Sequence, residues 1–134
     1  MAANAPIHCS VITPERQVLD ANAKSVVLPA HDGLRGVLKD HAPLLCELGT
    51  GVLRVDTENE GSKEFFVDRG FAQVLSNEVT ILTEHAGSAD EVSRADAEKA
   101  LAEAEKMPMT DDASREARQR ALDVAKAKLH IARK

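Results

Sequence analysis

The chain has 134 residues with no tryptophan and no tyrosine, and its phenylalanines are three: Phe65, Phe66 and Phe71. A surface that grips single-stranded nucleic acid by stacking needs several exposed rings, so that class is excluded. Cys9 and Cys46 are the two cysteines, too few for a disulfide framework. Cys9 falls in phase with Ile7 and Val11, which predicts a buried free thiol. No stretch approaches the roughly 20 apolar residues of a membrane span. Met1–Pro6 is too short and uncharged to open a secretory signal. These absences predict a soluble intracellular protein that reaches a membrane only through partners.

What is present changes character along the chain. Val, Leu and Ile carry the apolar content up to Ala86, and alanine dominates after Ala89. Charge is also uneven. Residues 1–86 hold 7 basic and 12 acidic side chains, whereas 87–134 hold 10 of each. Within the second part, residues 113–134 carry 7 basic and 2 acidic side chains. An acidic body with a basic last segment fits a tail that docks on an acidic protein surface, although a solvated helix face explains the same charges.

From Ile7 to Thr83 the pattern is that of short strands. Ile7–Val11 alternates, Val18–Leu19 is brief, and Lys24–Leu28 stops at Pro29. His31-Asp32-Gly33 is a turn, followed by Leu34–Leu38 and Leu44–Leu48. Gly49-Thr50-Gly51 reads as a turn into Val52–Val55. Phe65–Val67, Phe71–Leu75 and Val79–Leu82 complete the series. Strands at this spacing, punctuated by Gly, Pro and Asn, predict an antiparallel sandwich or barrel. There is no room for the helical crossovers of a parallel nucleotide-binding sheet.

Beyond Ala89 the period becomes helical. Ser93 caps a helix with Asp96 in its first turn and Pro108 beyond its end. Its apolar stripe reads Val92, Ala95, Leu101 and Ala102. Thr110-Asp111-Asp112 caps a second helix with Ala113, Ala117, Ala121, Ala125 and Leu129 on one line, ending at Arg133-Lys134. An alanine stripe buries little area, so the hairpin is expected to attach loosely and to move. The fold class is α+β: a sandwich over residues 1–86 and a two-helix hairpin over 87–134.

Catalytic constellations are weak. His31-Asp32 and Asp40-His41 gather imidazoles and carboxylates and could suggest a metal-dependent hydrolase, but the spacing matches no compact ligand pattern and turn chemistry accounts for both pairs. The serines form no nucleophile elbow, and no glycine-rich phosphate loop exists.

One stretch is more specific. Val27-Leu28-Pro29-Ala30-His31-Asp32-Gly33-Leu34-Arg35-Gly36-Val37-Leu38-Lys39-Asp40-His41-Ala42-Pro43-Leu44-Leu45 resembles a signature of the F-type ATP synthase epsilon subunit, the counterpart of the mitochondrial delta subunit. Gly51–Val55, Phe66–Val74 and Val79–Thr83 resemble that family's following strands. The resemblance implies a sandwich of about ten strands and a carboxy-terminal helical hairpin. It also implies a non-catalytic role in the central stalk, without a cofactor or a metal. The partners it implies are the gamma subunit and the c-ring, with the basic hairpin reaching the alpha and beta subunits to suppress ATP hydrolysis. The place it implies is the cytoplasmic face of the bacterial inner membrane, peripherally. Some members bind ATP on the folded hairpin. The matching positions here are Glu91, which replaces an aspartate, then Arg94 and, where an arginine is expected, Lys128. Asp90 and Val124 depart from that pattern further.

Overall fold

The computed structural model describes residues 6–132. Six strands are followed by two helices: β1 Ile7–Ile12, β2 Gln17–Ala30, β3 Gly33–Leu38, β4 Leu44–Thr57, β5 Ser62–Leu75 and β6 Glu78–Ser88, then α1 Arg94–Glu105 and α2 Asp112–Ala132. A single 3-10 turn, Ala89–Glu91, joins β6 to the hairpin. The sheet order is β1-β6-β5-β4-β2-β3, and an additional β1–β2 pairing closes five of the strands into a ring. Strand β3 lies outside the ring, paired to β2 alone. No helix among the described residues is long and apolar enough to cross a membrane.

The ring is not wholly antiparallel. Every other pairing alternates direction, and a ring with an odd number of alternating strands must contain one parallel joint. That joint is β1–β6, with Cys9 opposite Val79 and Val11 opposite Ile81.

The strand count corrects the sequence expectation. Among the described residues there are six strands, not about ten, because the long strands pass through bends where separate short strands were expected. The pieces around Val18-Leu19 and Lys24–Leu28 are one strand, β2, which also contains Pro29. Gly49-Thr50-Gly51 is not a turn but the middle of β4, and Gly70 lies within β5. In each long strand the residues facing the core change parity across the bend. Strand β5 buries Phe65 and Val67 and then Ala72 and Val74, β4 buries Leu48 and then Leu53 and Val55, and β2 buries Leu19 and Ala23 and then Val26 and Leu28. A one-residue slip in the pleat exchanges the two faces of a strand. Such corners let one strand serve both layers of a sandwich.

The corner in β5 has the strongest local cause. Arg69 (φ 57) and Gly70 (φ 122) both leave the β region. At Gly70 a Cβ would stand 1.9 Å from the Leu82 carbonyl oxygen, so the two strands approach closely only because this residue has no side chain.

The core is aliphatic, as the scarcity of rings requires, and Ile7, Val11, Leu28, Leu53, Val67 and Ile81 are fully buried within it. Cys9 lies there as a free thiol, and burial pushes its pKa up to about 12. Ser76 and Asn77, both with positive φ, form the two-residue turn between β5 and β6, whose ends pair as Leu75 and Glu78.

The helix starts follow their caps. Ser93 accepts from the Asp96 amide. Asp111 and Ser114 exchange side-chain and backbone bonds at 2.8 and 3.0 Å before α2. The expected contribution of Arg133-Lys134 to the end of α2 lies outside the described residues. The apolar stripes need correction. Helix α1 buries Ala97 and Ala104, while Ala95 and Ala102 are exposed. Helix α2 buries Leu122, Ala125, Ala127 and Ile131, while Ala113 and Ala117 are exposed. An alanine carries little preference for either face, so its burial follows from packing: α1 lies against α2, and α2 lies against both α1 and the strands β4 and β5.

Candidate docking interface

Because β5 reverses phase at Arg69-Gly70, it presents two outward faces. On the first, Glu64, Phe66 and Asp68 point away from the barrel core, whereas on the second it is Phe71, Gln73 and Leu75. The two faces meet different fates.

The first face is covered by α2. Asp68 faces Arg120 across 3.9 Å, the Lys128 Nζ stands 4.8 Å from the Phe66 ring centre, and His130 Nε2 lies 3.2 Å from Glu64 Oε2. Phe66 also packs with Ala127 and Ile131 in a small cluster bordered by Val52, Val92 and Val124. The helix index rises as the strand index falls, so α2 runs antiparallel to this half of β5. The spans match: residues 120 to 130 of a helix climb about 15 Å, and residues 64 to 68 of a strand cover about 13 Å.

The second face is bare. Phe71 (54% exposed) pairs across the sheet with Leu82 (51% exposed), and Leu82 pairs with Ile12 of β1. This makes an apolar row across three strands, continued by Glu47 of β4 opposite Phe71. Leu45 and Leu75, also exposed, point outward on the same side. A shallow groove of about 540 Å³ runs along the row, bounded by Pro14, Arg69, Gly70 and Glu84. A contiguous apolar surface with a charged rim is the usual mark of a protein contact. From the sequence, most of these residues fall in strands or in the family signature, but none is assigned to a contact. The available signal was Phe71–Leu75, where Ala72 and Val74 on one phase are joined by Phe71 and Leu75 on the other, more apolar residues than a strand with one buried face requires.

The other sequence-derived candidates fall in different places. Glu91 accepts from the Ser88 amide at 3.1 Å and from the Ser88 hydroxyl at 3.2 Å, and it pairs with Arg16 of the β1–β2 turn. The Ser88 amide is the main reason its carboxyl sits below the ordinary glutamate range, with the Ser88 hydroxyl and the Arg16 charge adding to the effect against desolvation. Arg94 lies 3.9 Å from Glu98 and borders a cleft between the helices with Lys126 and His130. Lys128 borders a separate cleft with Arg16, His85 and Asp68. The His31–His41 stretch is engaged in turns and loops. Asp32 pairs with Arg35 at 3.7 Å, Asp40 and Asn77 bond reciprocally, and His41 Nδ1 meets the Ala42 carbonyl at 2.7 Å. Among the described residues no group of three or more His, Cys, Asp or Glu side chains is placed to hold a metal ion.

The Glu91 contacts give a pH prediction. A carboxyl whose folded pKa is lowered adds stability above its ordinary pKa near ~4.3, and this is lost as pH falls through the lower folded value. The group is exposed, so the effect is screened and stays under about 1 kcal/mol. Urea midpoints of wild type and Glu91→Gln are therefore expected to differ at pH 6 and to draw together as acidification protonates the carboxyl. A gap that does not shrink on acidification would mean that the charge of Glu91 is not what holds this joint.

A closed barrel with a docked helical hairpin, one face covered by its own helix and another left bare and apolar, defines a small subunit built to sit against other chains. Residues 6–89 match the family model described as the ATP synthase delta/epsilon chain, beta-sandwich domain. The chain is 41% identical over 127 residues to the ATP synthase epsilon chain of Rhodopirellula baltica, covering 95% of this chain and 98% of that one. It is 42% identical over 121 residues to the epsilon chain of a Synechococcus species, covering 90% and 88%. Among solved structures it is similar to a chain in the Euglena gracilis mitochondrial ATP synthase, in its OSCP/F1/c-ring assembly, with a TM-score of 0.81 and 26% identity over 97% of this chain and 82% of that one. A chain of the Tetrahymena thermophila mitochondrial central stalk and c-ring shares the fold, with a TM-score of 0.67 at 16% identity, covering 92% and 93%. The chain belongs to the ATP synthase delta/epsilon chain family.

Proposed function

We propose that this chain is the non-catalytic epsilon subunit in the central stalk of an F-type ATP synthase, joining gamma to the c-ring and so coupling proton translocation to ATP synthesis. The observation that carries the contact is the bare row Phe71–Leu82–Ile12. Its partner in this reading is gamma, with the c-ring meeting the neighbouring barrel end. Membrane association is peripheral, through the complex, and the cytoplasmic face of a bacterial inner membrane is the location that suits the two bacterial relatives. Mixing the purified chain with gamma is expected to give a stable complex on size exclusion. Separate elution at micromolar concentrations would remove the reading.

The division into a barrel over residues 1–86 and a hairpin over 87–134 belongs to the same proposal. The barrel is the rotor attachment and the hairpin is a regulatory arm. Support for the arm comes from the basic surplus of residues 113–134, with Arg115 and Arg120 exposed, a charge suited to an acidic stretch on the alpha or beta subunits. Deleting residues 92–134, which spares β6 and the Ser88–Glu91 cap, is expected to raise ATP hydrolysis by the whole complex about fivefold, the scale of an ordinary regulatory coupling. Unchanged hydrolysis would leave the hairpin without an inhibitory role.

A nucleotide-sensing hairpin using Glu91, Arg94 and Lys128 is the second reading. The paired cations Arg94 and Lys126 along one interhelical cleft favour it, and the commitment of Glu91 to Ser88 and Arg16 weighs against it. Calorimetric titration with millimolar ATP separates the two, since an absence of heat dismisses nucleotide binding.

A further inference from the structure

Asp68 is the most deeply buried carboxylate on the covered face, with a residue exposure of 5%. Its Oδ1 accepts from the Thr50 hydroxyl at 2.8 Å. Two guanidinium groups stand beyond it, Arg69 Nε at 3.5 Å and Arg120 Nε at 3.9 Å. The two arginines are not equivalent. Arg69 belongs to the same strand and shares its charge with Glu84, which its Nη2 meets at 2.8 Å. Arg69, Asp68 and Glu84 together therefore leave one negative charge over. Of the other cations bordering Asp68, Arg16 pairs with Glu91, and Lys128 lies over the Phe66 ring. Among the described residues Arg120 is the hairpin cation within ion-pair distance of Asp68.

We propose that Asp68 and Arg120 form the latch of the docked hairpin, so that α2 stays on the barrel only while Arg120 offsets the charge it covers. This deepens the regulatory-arm reading and rests on it for its biological use. The physical argument is one of asymmetry. Covering Asp68 with a helix takes a carboxylate out of water, and a buried charge without compensation is costly, whereas a neutral residue in the same place is not. Removing the arginine alone makes docking unfavourable. Removing both charges restores it. Two clefts along α2 reach Asp68, one bordered by His85 and Lys128 and one by Ala104, Ala117 and Ala121. Water can therefore enter as the helix lifts, and release needs no rearrangement of the barrel.

The test is hydrogen exchange on the full isolated chain, read at the amides of residues 120–131 against those of β5 and β6. Arg120→Gln is expected to speed exchange in α2 by about tenfold or more while the barrel amides stay protected. Arg120→Lys, which keeps the charge, and the double variant Asp68→Asn/Arg120→Gln are both expected to remain within about threefold of wild type. Wild-type exchange in Arg120→Gln would overturn the latch. Equally fast exchange in the double variant and in Arg120→Gln would overturn it as well, because packing rather than charge would then hold the helix. The measurement involves no ATP hydrolysis, so a failure of the inhibitory reading on truncation leaves this result standing, and the reverse also holds.

Discussion

Phe71→Asp is expected to leave the barrel folded and to weaken its complex with gamma by about a hundredfold. Phe71 points away from the core, beyond the corner in β5, and is 54% exposed. Folded-state packing loses little when it is replaced, and the change in urea stability should stay within about 0.5 kcal/mol. In a complex the same side chain would occupy the centre of the apolar row with Leu82 and Ile12. Aromatic anchors at the centre of an interface contribute about 2 to 4 kcal/mol on truncation, and an aspartate adds a desolvated charge. Calorimetry with purified gamma reads the result directly. Binding as tight as wild type would show that gamma does not use this face, even if a complex forms.

Gly70→Ala is expected to remove most of the stability of the barrel. The added methyl meets the Leu82 carbonyl oxygen at 1.9 Å and the Thr83 Cα at 2.8 Å. Both are backbone atoms of the adjoining strand, so no side-chain rotation relieves the clash. The positive φ of 122° adds a strain of its own. A loss of about 4 kcal/mol or more follows, a large share of the roughly 5 to 15 kcal/mol that holds a domain together. Gly36→Ala is the control, since nothing lies within 4 Å of a Cβ there. Its urea midpoint should stay close to wild type. Equal midpoints for the two variants would mean that the corner in β5 is not the constraint the geometry implies.

Much of this architecture could be read from the chain itself, and the misses share a cause. Short apolar runs punctuated by Gly, Pro and Asn located the strands, and Ser93, Pro108 and Asp111 bounded the helices, because caps, turns and proline act locally. The bends escaped because a strand that changes parity looks, in one dimension, like two strands with a break between them. Gly49-Thr50-Gly51 and Gly70 supplied the apparent breaks. The stripes on α1 and α2 were misplaced because alanine carries almost no preference for either face. The docking row was invisible for a three-dimensional reason. Phe71, Leu82 and Ile12 belong to three strands, and what brings them level is the register of β5 on β6 and of β6 on β1. Glu91, Arg94 and Lys128, proposed from the family pattern, are placed by the fold at an intramolecular joint and along two separate clefts.

The parallel joint between β1 and β6 has a consequence for how the molecule is made. One edge of residues 8–12 is covered at once by β2, but the other finds its partner only at residues 78–82, so that flank of β1 waits for nearly the whole barrel. Closure is thus a late and long-range event, of the kind that slows folding. A nascent chain halted before Val79 would expose the flanks of both β1 and β5, and an open pair of strand edges invites pairing with a neighbouring chain.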